Sequence, residues 1–406
     1  MSVIKGYRQF EGLHYETGPV RNVLAHLGVK APHTGKPISE ALLMGISGGA
    51  VFGYFLFDYK GHDPLLSLIS RNTFDPLETL LTRLAVPREV KQSADEKKAE
   101  NKLIETLESN QPAIVWADMT SLPYNGIAPS EDWWAMLPLV VYGTDDQHAY
   151  IADRSRQPLT VTHEQFLSAR GRIKKEKFRL MTLSAPDLSK LKDAVQSGIW
   201  QCIQLYTEKP PKGAKTNFGF AAYRHWANML TNARNTHSWA RFFPAGASMW
   251  SALAGGGMSP GLMGWIYTWG FGDGMERGAY ADFLDEAADL LKRPKLKTAA
   301  EFFCQSRLAW LALGQVAMPD DVLLCRETRE LTIKRRSLFV EQGGASLDER
   351  KAIGTRLKEI RSIVDKSFPL SETQVIELRE QMSKVVMKIH DLEYEAVKAM
   401  QAAMHS

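Results

Sequence analysis

The stretch His14-Tyr15-Glu16-Thr17-Gly18-Pro19 puts a tyrosine where a helix is about to begin. Val20, Val23, Leu24 and Leu27 follow at helical spacing, and Pro19 suits a first helical turn, where a missing N–H costs nothing. A helix N-terminus gathers unpaired backbone N–H groups and positive potential. A cysteine in that seat would hold a stable thiolate and act as a nucleophile. A tyrosine, with a reference pKa of about 10, stays protonated at neutral pH. Tyr15 therefore offers an acid or a hydrogen-bond donor in place of a thiolate.

The chain has three cysteines, Cys202, Cys304 and Cys325, and none stands in a comparable setting. Their odd number and long spacing indicate neither a disulfide framework nor a zinc site, and a reducing cytoplasm fits them best. Cys202 and Cys304 read as small buried hydrophobes on helices. His148 follows the turn Gly143-Thr144-Asp145-Asp146-Gln147 and is either a base or a surface histidine. No dinucleotide fingerprint, phosphate loop, His-Glu-x-x-His or Gly-x-Ser-x-Gly occurs, so no cofactor and no metal are expected.

The elements that position these groups change character along the 406 residues. Residues 14–110 read as helices with one strand-like run, Gly48–Phe57. Ser39 caps a short helix, and Ser93 with Glu96 reads as a capping box. Residues 112–184 read as strands at Ala113–Ala117, Leu137–Tyr142, Ala149–Ala152 and Phe178–Leu183, with a helix capped by Thr162 and Gln165. Beyond Pro186 the pattern is helical, with a linker at Lys209-Pro210-Pro211-Lys212-Gly213. The last helix carries Val375, Leu378, Met382, Val385, Val386, Ile389 and Leu392, a stripe that serves either an internal core or a homodimer contact. The fold class is α+β, with domains at 1–185, 186–318 and 319–406.

Composition is that of a globular protein, 44% hydrophobic and 24% charged. A formal charge of +4 is too small and too dispersed to imply a nucleic-acid partner. The apolar run Met249–Phe271 is broken by Gly255-Gly256-Gly257 and Ser259-Pro260-Gly261, so it reads as a buried helix pair rather than a membrane span.

Several motifs in order resemble the amino-terminal domain of the butirosin biosynthesis protein H family. They are His14-Tyr15-Glu16-Thr17, Asn22-Val23-Leu24, Gly28, Ser39-Glu40-Ala41-Leu42-Leu43-Met44-Gly45-Ile46-Ser47-Gly48-Gly49, Asp118 and Leu122-Pro123-Tyr124. Arg277, Tyr280, Phe283-Leu284 and Glu286-Ala287 resemble the uncharacterised domain that commonly follows. The resemblance implies a papain-like fold over roughly residues 5–185 and acyl transfer from an acyl carrier protein to an amine. It also implies roles: a nucleophile at Tyr15, where the family has cysteine, an oxyanion donor at Gln9, and an orienting carboxylate at Asp153. The expected histidine position holds Leu137. His14, Glu16, Asp118, Tyr124 and Arg277 complete the expected cleft or ligand-binding set.

Two functions follow as expectations. In one, the protein lacks the Cys-His pair and binds or transforms a small biosynthetic metabolite without thiol chemistry. In the other, it is an active acyltransferase of secondary metabolism, moving an acyl or aminoacyl group onto an amine.

Overall fold

A computed structural model describes residues 2–61, 64–71, 75–127, 133–208, 215–256 and 259–405. The linker read at Lys209–Gly213 lies outside them, as does Gly257 of the glycine stretch. The amino-terminal half runs β1 (Ser2–Val3), α1 (Thr17–His26), α2 (Glu40–Ile46), β2 (Gly53–Phe57), β3 (Leu65–Ile69), α3 (Pro76–Arg83), β4 (Arg88–Lys91) and α4 (Glu96–Glu108). It continues through β5 (Ala113–Asp118), β6 (Met136–Thr144), β7 (His148–Ala152), β8 (Leu159–Thr162), α5 (His163–Gly171) and β9 (Leu180–Leu183). Then come α6 (Leu191–Thr207), α7 (Gly219–Thr231), α8 (Trp239–Phe242), α9 (Ala247–Ala254) and α10 (Gly261–Tyr267). The chain closes with α11 (Arg277–Leu291), α12 (Lys295–Ala317), α13 (Leu323–Gln342), α14 (Leu347–Lys366) and α15 (Glu372–Met404). The fold is α+β, with a sheet region first and helices after it.

The chain divides into two compact units, each discontinuous in sequence. The first comprises Met1–Leu43, Pro76–Leu191 and Ser337–Ala352. The second comprises Met44–Asp75, Lys192–Arg336 and Ile353–Ser406. The sequence-based boundaries at 185 and 318 were drawn as single cuts, and the compact units are not divided that way. Gly45 shows why residues 44–75 leave the first unit: a side chain there would meet the Phe283 ring at 2.2 Å, so only glycine lets that ring in. Among its described residues the second unit is helical apart from the hairpin β2–β3, paired antiparallel from Gly53↔Ile69 to Phe57↔Leu65.

The first unit is built on an antiparallel sheet in the order β4-β9-β5-β6-β7-β8, with β1 added along β6. Strand β5 is buried throughout, in line with its apolar run Ala113–Ala117. Strands β6 and β7 form the expected hairpin, with a register shift between Val141 and Gly143. Strand β4 eluded the sequence reading because Arg88-Glu89-Val90-Lys91 is a charged edge strand with no apolar alternation. Strand β8 is only four residues long, wedged between Pro158 and the capping box of α5.

The Thr162–Gln165 box is present in both directions. The box expected at Ser93 is not. Asp95 caps α4 by accepting from the Lys98 N–H at 2.9 Å, and the Ser93 hydroxyl bonds the backbone of Asp95. Met249–Phe271 contains the helix pair α9 and α10, and no helix among the described residues is long and apolar enough to cross a membrane.

In the second unit α15 packs against α12 and α7. Val375, Leu378, Met382, Val386 and Ile389 are buried, whereas Val385 and Leu392 are half-buried at the margin of the stripe.

Candidate functional site

Tyr15 lies in a turn two residues ahead of α1, half-buried. The turn is held from both sides. The backbone N–H groups of Leu13 and His14 each donate to the Glu40 carboxylate at 2.8 Å, and the Thr17 hydroxyl donates to it at 3.1 Å. Gly12 and Gly18 touch so closely that a side chain on Gly12 would meet the Gly18 carbonyl at 2.3 Å. Burial pushes the Glu40 carboxyl above its ordinary range, and the hydrogen bonds from Leu13, His14 and Thr17 hold the rise back.

His14 is fully buried and caps the helix. Its Nδ1 accepts from the Glu16 N–H at 3.2 Å and lies 3.5 Å from the Thr17 nitrogen, while its carbonyl accepts from Gly18 N–H at 2.9 Å. In the neutral ring this leaves the proton on Nε2. The first donors of α1, which would favour an anion in this seat, are thus already engaged by His14. The adjacent rings of His14 and Tyr15 pack at 4.2 Å and 30°. The half-buried Glu16 side chain makes no cap hydrogen bond, and Gln9 is half-buried in the coil leading to the turn.

A second cluster of the first unit gathers around Asp153. The Tyr124 hydroxyl donates to Asp153 Oδ2 at 2.9 Å. The Arg154 guanidinium forks onto both carboxylate oxygens at 2.7 Å, and also donates to Asn125 at 2.9 Å. Arg154 adopts a left-handed backbone, φ +48°, to turn its side chain back along its own neighbour. Burial, then the Asp153 charge, pushes the Tyr124 phenol well above the usual range. Phe339 forms one wall: Tyr124 stacks on it at 6.3 Å, and the Arg154 and Arg350 guanidinium carbons lie 5.6 and 5.0 Å from its centroid. Arg350 in turn donates to the Tyr124 carbonyl at 2.7 Å.

The remaining candidates disperse. Asp118 is fully buried and closes its own turn, accepting from Thr120 N–H, both Thr120 and Ser121 hydroxyls, and Ala135 N–H at 2.6–3.2 Å. His148 opens β7 and faces Asp145 at 3.6 Å, not Asp153. Leu137 occupies β6 opposite Ala117, half-buried.

Residues 14–154 match the family model described as Butirosin biosynthesis protein H, N-terminal. That stretch is similar to the amino-terminal domain of butirosin biosynthesis protein H. No curated protein matches the chain. The family stretch begins at His14 and ends at Arg154, so it is bounded by the capping histidine and by the arginine that holds Asp153.

Arg277 lies outside the butirosin protein H stretch, and its expected ligand-binding role meets a sealed environment. Its Nε meets Glu393 at 2.8 Å, and its other nitrogens donate to the Met275 carbonyl and the Tyr206 and Tyr223 hydroxyls at 2.7–3.3 Å. Glu393 further accepts from Ser306 at 2.7 Å. Each guanidinium nitrogen is engaged inside the protein, so the cluster holds the helices α7, α11, α12 and α15 together.

The thiols show one correction. Cys202 is buried against the Ala50 carbonyl at 3.1 Å, and burial pushes its pKa up to about 12. Burial pushes Cys325 to about 12 as well. Cys304, expected to be buried, is exposed. On α12 the inward face is Phe303, Ser306 and Trp310, and Cys304 shares the outward face with Leu308. No group of three or more potential metal ligands occurs among the described residues.

Sequence reasoning passed over Glu40, Phe339 and Arg350. Glu40 stood within a quoted motif, and a glutamate beside the helix-capping Ser39 was its only signal. Arg350 reaches Tyr124 across 226 residues, which no local pattern marks.

Proposed function

We propose that the protein serves secondary-metabolite biosynthesis, as its family name suggests, and does so without thiol chemistry. It binds or transforms a small biosynthetic metabolite with the Tyr15 phenol as a neutral donor. One observation carries the reading: the turn ahead of α1 is anchored by Glu40 and His14, yet it presents a tyrosine. Three others support it. Leu137 stands on β6 where a base is expected, His148 faces Asp145, and Asp153 is engaged by Arg154 and Tyr124. Losing nucleophile and base together removes covalent catalysis of the papain type. The unpaired cysteines fit a cytoplasmic setting, and an acyl carrier protein is a candidate partner by family resemblance.

The test is mass spectrometry of the intact protein after incubation with an acyl thioester of N-acetylcysteamine. In a Cys304→Ser background, which removes the exposed thiol, the protein should gain no acyl group, and adding Tyr15→Cys should leave it unacylated, because helix-dipole help alone is modest. Stoichiometric acylation of Cys202 or Cys325 would replace this reading with the acyltransferase one. Rapid acylation of Tyr15→Cys would mean that a working base already faces the seat.

A further inference from the structure

Helix α15 carries a charged stripe on the side opposite its buried residues Met382, Val386, Ile389 and Glu393. The middle of the stripe consists of Lys384, Lys388, Asp391 and Glu395, with Glu377 and Glu380 before them on the same side and Lys398 after. At 3.6 residues per turn the middle four fall within about 60° of arc and span about 16 Å. They edge a shallow groove whose apolar lining is Phe302, Met387 and Leu392.

The order of charges is self-complementary. Two lysines precede two acids, and the pairs Lys384/Glu395 and Lys388/Asp391 are both centred on the Ile389–His390 peptide. Met387 and Leu392 are centred on the same point, one on each flank of the stripe. A two-fold axis level with that point, normal to α15 and lying in the interface, sets a second α15 antiparallel to the first. It places Lys384 opposite the partner's Glu395 and Lys388 across the seam from the partner's Asp391, while Met387 and Leu392, on opposite flanks, each sit beside their own copy. Each lysine–acid contact then occurs twice, as an isologous interface requires. A parallel pairing would instead face lysine with lysine and acid with acid.

Within one chain this complementarity is only partly used. Glu395 pairs with Lys398 at 3.1 Å and Asp391 with His390 at 2.9 Å, both in solvent-facing positions. Lys384 and Lys388 are exposed and form no ion pair among the described residues.

We infer that α15 is a homodimer interface: a second copy of this chain docks antiparallel on the stripe, register fixed by the lysine–acid pairs. Pairs of this kind set orientation and partner choice between helices.

Sedimentation velocity on the full chain at micromolar concentration and low salt should give twice the chain mass, shifting toward the monomer as salt rises. K384E/K388E makes these four positions acidic, and D391K/E395K makes them basic. Each variant alone should sediment as a monomer, and an equimolar mixture should restore the dimer. All four positions lie on the solvent side, so circular dichroism should match the wild type. A monomeric wild type at low salt, or a dimer that survives both reversals, overturns the inference.

Discussion

The guanidinium of Arg277 and the carboxylate of Glu393 meet at 2.8 Å with neither side chain exposed to solvent. Four further donors, from Tyr206, Tyr223, Ser306 and Trp310, converge on the same carboxylate. Removing one partner of such a pair strands the other charge without water. Glu393→Ala should therefore lower stability by about 3–5 kcal/mol. Tyr223→Phe, which deletes one neutral donor from a surviving pair, should cost about 1 kcal/mol. Urea denaturation of both variants checks the ranking. Equal losses would mean that the ion pair contributes no more than one hydrogen bond.

Tyr124→Phe keeps the ring on Phe339 and removes only the donor to Asp153. Arg154 still neutralises the carboxylate, so the loss should stay near 1 kcal/mol, at the low end of the range for a buried unpaired acceptor. Arg154→Met leaves Asp153 buried with no countercharge and should cost about 3–5 kcal/mol. Thermal melts of the two variants separate these outcomes.

The thiols should divide by exposure. Titration of the native protein with a chromogenic disulfide should find one fast cysteine, Cys304, and two that react only after unfolding, Cys202 and Cys325. Cys304→Ser should abolish the fast phase.

Stability should fall on the alkaline side. Cys202 and Cys325 hold their protons to about pH 12 when folded, and an unfolded thiol releases its own near the ordinary pKa of about 8.5. Between those limits the unfolded chain binds fewer protons than the folded one, so unfolding becomes easier as pH rises. The phenols of Tyr142 and Tyr267, also pushed up to about 12 by burial, act with the same sign from about pH 10. Urea midpoints measured from about pH 8 upward should decline. A flat profile would show that these groups titrate freely in the folded state.

Much of the fold was legible because local chemistry declared it. Pro19 marked the first turn of α1, Thr162 with Gln165 marked the start of α5, and the run Ala113–Ala117 marked a buried strand. What the sequence concealed depends on partners far along the chain. Arg88–Lys91 is a strand only because β9 lies beside it, and Cys304 differs from Cys202 only in which way its helix faces. At the candidate site, the helix start before Tyr15 was readable from spacing. The roles of His14 as cap and Arg154 as the holder of Asp153 were not, because they rest on where side chains turn back.

The path of the chain also constrains its birth on the ribosome. Residues 1–43 and 76–191 emerge early, but Ser337–Ala352, which supplies Phe339 and Arg350 to the same unit, emerges only after residues 192–336. At about 5–20 residues per second, that interval lasts roughly 7–30 s. Throughout it the nascent sheet waits with Tyr124 uncovered by its aromatic wall, and Met44–Asp75 waits for helices not yet translated. Neither unit can be finished in order of synthesis, so a half-made chain should be a natural client for holding chaperones.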